Sequence, residues 1–217
     1  MAKKRIAGSA RKALILEAAR QVFSRSGYDA TKTIEIARAA KVSEALVYRH
    51  FPSKEALYRA VLRQTIREQD ENFAALGLRE PNTAGIVRTL KLYFSFAAGL
   101  AEEQMQYRFR LLLASLSGDG NYASLVYRRS QRMIGRTISD ALANAHANGD
   151  MTGAAISPGS SAMFVEHIGT MMSAIHSLSL NSLPYANSGE QLVRDAVWFC
   201  CRGMGFTDEA IARHIDD

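Results

Sequence analysis

The stretch TKTIEIARAAKVSEALVYRHF, residues 31–51, reads as two short helices joined by a tight turn at Ala40-Lys41-Val42. Thr31 or Thr33 is placed to cap the first helix, and Ile36, Ala37 and Ala40 fall on its inner face. Ala37 and Ala40 are small, as a close helix crossing requires. Ser43 is positioned to cap the second helix, which ends near Phe51. Successive helical residues rotate by about 100°, so Val47 and Phe51 turn inward while Ala45 and Arg49 turn outward. Leu46 flanks that outward face on one side, and Glu44 with Tyr48 on the other. Two short helices, one bracing the other, form the unit by which a helix is presented to the major groove of DNA.

Helical spacing continues in both directions. Ile15, Ala18, Ala19, Val22 and Phe23 make an apolar stripe over about residues 9–26, ended by Ser26-Gly27. Pro52-Ser53 breaks the chain before a fourth helix that starts at Lys54 and carries Leu57, Val61, Leu62 and Ile66. Pro81-Asn82, Gly118-Asp119-Gly120, residues 148–161 and residues 184–189 divide the remainder. Helices are predicted near 83–101, 104–117, 121–147, 160–181, 189–204 and 207–215, the last capped by Thr207 and Asp208. Strand-like alternation is scarce, so the fold class is all-α. Residues 1–53 are expected to form a helix-turn-helix domain with a basic amino-terminal arm, and residues 54–217 a larger helical domain.

Charge separates along the same line. Residues 1–63 hold 14 Lys and Arg against 5 Asp and Glu, whereas residues 64–217 hold 13 against 16. A basic amino-terminal piece on a mildly acidic remainder suits attraction to a polyanion at one end only. Lys3, Lys4, Arg5, Arg11 and Lys12 extend that charge, either as further DNA contacts or as a solubilising tail. The two cysteines, Cys200 and Cys201, are adjacent, which excludes a disulfide framework and a four-ligand zinc site. They read as small buried hydrophobes, with a thiol sensor as the alternative. No apolar signal core follows the first residues, and the stretch Leu90 to Ala101 is too short and interrupted to span a bilayer. A cytoplasmic location and no membrane partner are expected.

The outward face of the third helix has matching chemistry. Ala45 permits close approach, Tyr48 can donate to phosphate or pack on a thymine methyl, and Arg49 can reach guanine or phosphate. The Glu44 carboxylate can accept from cytosine N4, or simply favour the helix amino terminus. The run Ser26-Gly27-Tyr28-Asp29-Ala30-Thr31, followed by Ile36-Ala37, Ala40, Val42-Ser43, Val47-Tyr48, His50-Phe51 and Ser53-Lys54-Glu55-Ala56-Leu57, resembles the signature of the tetracycline-repressor (TetR) family of bacterial regulators. This resemblance covers about residues 10–62 and implies that Ser43, Glu44, Ala45, Tyr48, Arg49 and His50 lie at or beside double-stranded DNA. It also implies a phosphate contact for Lys54 and places Thr31 and Thr33 near the DNA backbone. Two positions depart from the pattern: the turn glycine is Lys41, and the glycine early in the recognition helix is Ala45. Lys41 therefore calls for a strained or altered turn, and adds a further cation for phosphate.

Beyond residue 62 the resemblance is one of helical layout and length. It implies a homodimer paired through the last two main helices, for which Phe164, Ile168, Met171, Met172 and Ile175 with Val193, Val197 and Cys200 are available. It also implies a small-molecule effector, apolar or aromatic, held in the second domain. Phe94, Met105, Tyr107 and Phe109 are candidates to line that site, as are Met133, Phe164, His167 and Met171. Tyr93, Phe96 and His176 extend the set, although at helical spacing all of these are equally ordinary core residues. No Gly-rich phosphate loop, His-Glu-x-x-His or Gly-x-Ser-x-Gly is present, so no enzyme, cofactor or metal is expected. The expected function is a ligand-responsive repressor that binds a palindromic operator as a homodimer. A DNA-binding regulator without a small-molecule effector, acting as an activator or through a protein partner, is the alternative.

Overall fold

The computed structural model describes residues 8–76, 80–100, 106–152, 156–177, 185 and 189–216. Its helices are α1 Gly8–Ala30, α2 Thr33–Ala39, α3 Glu44–His50, α4 Lys54–Leu76 and α5 Thr83–Ala97. They continue with α6 Gln106–Leu116, α7 Asn121–Ala147, α8 Pro158–Ser177, α9 Glu190–Met204 and α10 Asp208–Ala212. Among the described residues the sole β interaction is an isolated bridge between Met151 and Phe206, and the fold is all-α.

The chain forms two compact units, one of residues Met1–Glu71 and Arg110–Ala123, the other of Asn72–Phe109 and Ser124–Asp217. In the first, the predicted α1 stripe of Ile15, Ala19, Val22 and Phe23 is buried together with Ile36 and Ala37 of α2, Val47 of α3, and Leu57 and Val61 of α4. A short aromatic stack ties this core together. Tyr58 lies 4.8 Å from Phe23 and 4.9 Å from Tyr28, ring centre to ring centre. The Tyr58 hydroxyl donates to Asp119, and Asp119 also accepts from Ser115, so the α6–α7 corner is bonded to α4 within this unit.

The second unit is built around α5, which packs on α8, α9 and α10. Val87, Phe94 and Ala97 meet Val197, Cys201 and Ile211 in one apolar cluster. Asn82 caps α5 by accepting from the Gly85 N–H at 2.9 Å, and Thr207 caps α10 through the Ala210 N–H. Helix α5 stops at Ala97, short of the predicted 101. Gly99 takes a left-handed conformation with φ +74°, and His176 packs where a side chain at that position would project.

Val193, Val197 and Cys200 belong to this core. Their side of α9 faces α5 and α8 of the same chain, not a dimer surface. Cys201 is also fully buried, and burial pushes both thiols up to about 12. A thiolate at neutral pH is therefore strongly disfavoured, and a thiol sensor has no reactive group here. The native protein is expected to leave both cysteines unmodified by an aromatic disulfide reagent at neutral pH until denaturant is added. Rapid labelling of the folded chain would contradict this.

Candidate nucleic-acid interface

Helix α3 is held at its start by Ser43, whose Oγ accepts from the Leu46 N–H at 3.2 Å. The spacing read from the sequence holds: Val47 and Phe51 are buried, while Ala45, Tyr48 and Arg49 are exposed. Glu44 and His50 are half-buried at the flanks. The Tyr48 hydroxyl donates to Thr33 Oγ1 at 3.2 Å, which fastens α3 to the first residue of α2. With its proton so used, Tyr48 offers its ring to a partner, and the buried Thr33 hydroxyl keeps its own proton for a further acceptor. Exposed Lys32, Arg38, Lys41 and Arg49 give this part of the unit its positive charge.

The turn between α2 and α3 is closed by two backbone bonds, Val42 N–H to the Ala37 carbonyl at 3.0 Å and Lys41 N–H to the Arg38 carbonyl at 3.1 Å. This is the paired bonding of a Schellman helix end, which places the residue after the helix in the left-handed region. Lys41 sits there with φ +54°, the sole non-glycine residue with positive φ among those described. The strain expected from a lysine at a glycine position is thus present, and the turn geometry is retained. Lys41→Gly is expected to raise unfolding stability by about 0.5–1 kcal/mol by removing the Cβ clash. The same change should reduce the salt dependence of DNA binding by about one charge. Denaturant unfolding and binding titrations at several salt concentrations measure the two effects separately.

Where α1 ends, the structure assigns tasks that the sequence did not suggest. Gly27, with φ +71°, interrupts the regular helix as its position predicted, but the chain completes another turn to Ala30. The Thr31 hydroxyl donates to the Gly27 carbonyl at 2.6 Å and so does not cap α2. That task falls to Glu35, whose carboxylate accepts from the Lys32 N–H at 3.2 Å. Lys54 Nζ donates to the carbonyls of Tyr28 at 2.9 Å, Thr31 at 3.1 Å and Asp29 at 3.4 Å. It also stands 4.4 Å from the centre of the Tyr28 ring. In this conformation the ammonium donors of Lys54 are directed at carbonyls of its own chain.

The residues expected to line an effector site divide into two groups. Phe94 and Phe109 are buried, with Tyr93 at 5.4 Å and 6.4 Å from them, and Tyr107 is half-buried. Phe164 and Met171 instead lie exposed on α8, as does His167, whose Nε2 bonds the Tyr127 hydroxyl at 3.1 Å. Phe96 is half-buried and His176 exposed. Met105 and the side chain of Met133 lie outside the described residues. Glu166 escaped the sequence reading because a lone acid in a helix ordinarily points to water. Burial raises its carboxyl above the usual range, against the pull of Tyr93, Arg108 and Arg129.

Comparison with known proteins agrees with this geometry. A family profile described as "Bacterial regulatory proteins, tetR family" matches residues 15–61. The regulator RutR of Escherichia coli is 50% identical over 58 residues, 27% of this chain and 27% of RutR. UidR of the same organism is 37% identical over 67 residues, 31% of this chain and 32% of UidR. The sequence matches therefore span about a third or less of these relatives. In overall fold, a tetR-family regulatory protein from Rhodococcus RHA1 superposes with a TM-score of 0.68 at 20% identity, covering 91% of this chain and 98% of its own. GusR of Salmonella enterica does so with a TM-score of 0.60 at 19% identity, covering 93% and 99%. Residues 15–61 thus match the helix-turn-helix segment of the tetracycline-repressor (TetR) family of bacterial regulatory proteins, and the chain as a whole shares the fold of these solved structures.

Proposed function

We propose that the chain is a transcriptional regulator, a homodimer that reads a palindromic operator through α3 and is released by a small-molecule effector. The observation that carries this reading is the pairing of α2 and α3, with Tyr48 and Arg49 exposed on a cationic surface and Val47 and Phe51 buried beneath. Ser43, Glu44, Ala45 and His50 complete the DNA-facing set, and Lys41 and Thr33 lie beside the phosphates. The protein acts in the cytoplasm and without catalysis. No described helix is long and apolar enough to cross a membrane. Retardation of the DNA upstream of the chain's own coding region, resisted by unrelated DNA at the same salt, is the expected result. Equal affinity for both DNAs would overturn it.

A single α3 reads only a few base pairs, so a two-fold pair is needed for an operator of useful specificity. Phe164 and Met171, seven residues apart on α8, are 56% and 52% exposed, and Phe199 on α9 is 70% exposed. Large exposed apolar side chains on two adjoining helices suit a self-complementary interface. Phe164→Glu combined with Phe199→Glu is expected to yield a folded monomer with operator affinity lowered at least tenfold, on the order of 1.4 kcal/mol or more. Sedimentation measures the first and titration the second; an unchanged dimer would remove these residues from the interface.

Half-sites lie about 34 Å apart along the duplex, so an effector acts by preferring a different separation of the two α3 helices. A ligand with equal affinity for both arrangements would release nothing.

A further inference from the structure

The chain passes between its two units three times, and each passage lies inside a helix: in α4 after Glu71, in α6 before Arg110 and in α7 after Ala123. An unkinked helix bends only gently, so the direction it takes in one turn is kept in the next. Of the three, α4 is the passage that begins beside α3, separated from it by Phe51, Pro52 and Ser53 alone.

Within the first unit α4 is fastened to α1 at two heights. At its start, Lys54 Nζ donates to the carbonyls around the end of α1. About 21 Å further along the axis, at 1.5 Å per residue, stands Glu68. Its carboxylate accepts from Arg20 Nη1 of α1 at 3.0 Å and, through the other oxygen, from the Gln64 side-chain amide at 2.8 Å. Arg20 also pairs with Glu17 in its own helix. The Arg20 and Glu68 side chains are 15% and 33% exposed, so solvent and salt screen this pair less than one at the surface. Between the two anchors the inward face of α4 is apolar at Leu57, Val61 and Leu62. It then reaches Thr65, fully buried, whose hydroxyl has no partner among the described residues. The apolar seam therefore stops before Glu68, and a directional ion pair takes its place.

We infer that Arg20 and Glu68 are positioning residues for DNA recognition: their bond fixes the direction in which α4 leaves the first unit, and through it the half-site spacing that the homodimer accepts. This rests on the homodimer reading above. A tilt of about 10° about Lys54 displaces α4 at Glu68 by about 3.6 Å. One base pair changes the separation of half-sites by about 3.4 Å. A bond that resists such a tilt selects between spacings that differ by a single base pair. Both residues lie outside α2 and α3, so the reading of each half-site is left intact.

The test uses the full chain and its upstream DNA, with the two half-sites located by footprinting. The same DNA with one base pair inserted or removed midway between them is titrated alongside, as is a duplex bearing one half-site. The unaltered protein is expected to prefer the natural spacing by roughly tenfold or more. Arg20→Met combined with Glu68→Met, which leaves neither charge unpaired, should reduce that preference to about threefold or less while binding the single half-site normally. Glu68→Gln, isosteric and mild enough to keep the fold, should show the same change in smaller measure. Full discrimination by both variants would overturn the assignment. So would a loss on the single half-site equal to that on the whole operator, because the pair would then merely support the folded unit. A single footprinted site, or an unaltered protein indifferent to spacing, removes the homodimer reading and this inference with it.

Discussion

Lys54→Ala should lower unfolding stability by about 2–3 kcal/mol, a large effect for a half-exposed lysine. The reason lies at the end of α1. Gly27 interrupts the helix, and the carbonyls that follow have no helical partners. Lys54 Nζ satisfies those of Tyr28, Asp29 and Thr31, and its charge lies over the Tyr28 ring. Removing the ammonium leaves three carbonyls unpaired beside the Tyr28–Tyr58–Phe23 stack. Lys54→Met retains the aliphatic stem and should lose nearly as much, which isolates the charge from the packing. A direct phosphate contact makes a different prediction: near-normal stability and a salt dependence of DNA binding flatter by about one charge. Denaturant unfolding together with a salt titration of DNA affinity therefore decides which task Lys54 performs.

Arg49→Ala is expected to weaken operator binding by about 1–3 kcal/mol without measurable loss of stability, because its side chain is exposed and the α3 core beneath is untouched. Tyr48→Ala should lose a similar amount, with a small cost in stability from the bond to Thr33. Tyr48→Phe distinguishes the two contributions: the ring remains, the α2–α3 bond goes, and Thr33 loses its donor. If the ring makes the DNA contact, Tyr48→Phe binds far better than Tyr48→Ala. Operator affinities of all three variants at one salt concentration, with unfolding curves alongside, give the comparison. Unchanged binding by both alanine variants would remove α3 from the DNA.

The helix-turn-helix was legible because its signals are local. Ser43 as a cap, Val47 and Phe51 at inward spacing, small Ala37 and Ala40 at the crossing, and a break at Pro52 depend on residues within a few positions of one another. Even the anomaly at Lys41 was visible, since a turn of this type needs positive φ whatever residue occupies it. The effector region was less legible. Phe94 and Phe164 have the same chemistry and both sit on apolar stripes, yet one is buried and the other exposed. Periodicity ranks the faces of a helix but does not say which neighbour covers each face, and here α5 buries one side of α8 and leaves the other open.

From the sequence alone came the all-helical class, the helix-turn-helix, the inward and outward faces of α3 and the concentration of positive charge in the first third of the chain. Tertiary structure alone decided where long-range partners meet: Lys54 on the carbonyls of α1, Tyr48 on Thr33, Tyr93 on the backbone of α8 and Thr170 without a partner. The division follows from range. Caps, turns and helical faces are set by torsions and neighbours within one or two turns of chain. The side-chain bonds that assign a residue its task join positions as far apart as Tyr93 and Glu166, 73 residues, or Lys91 and Ile215, 124 residues, and only packing brings these together.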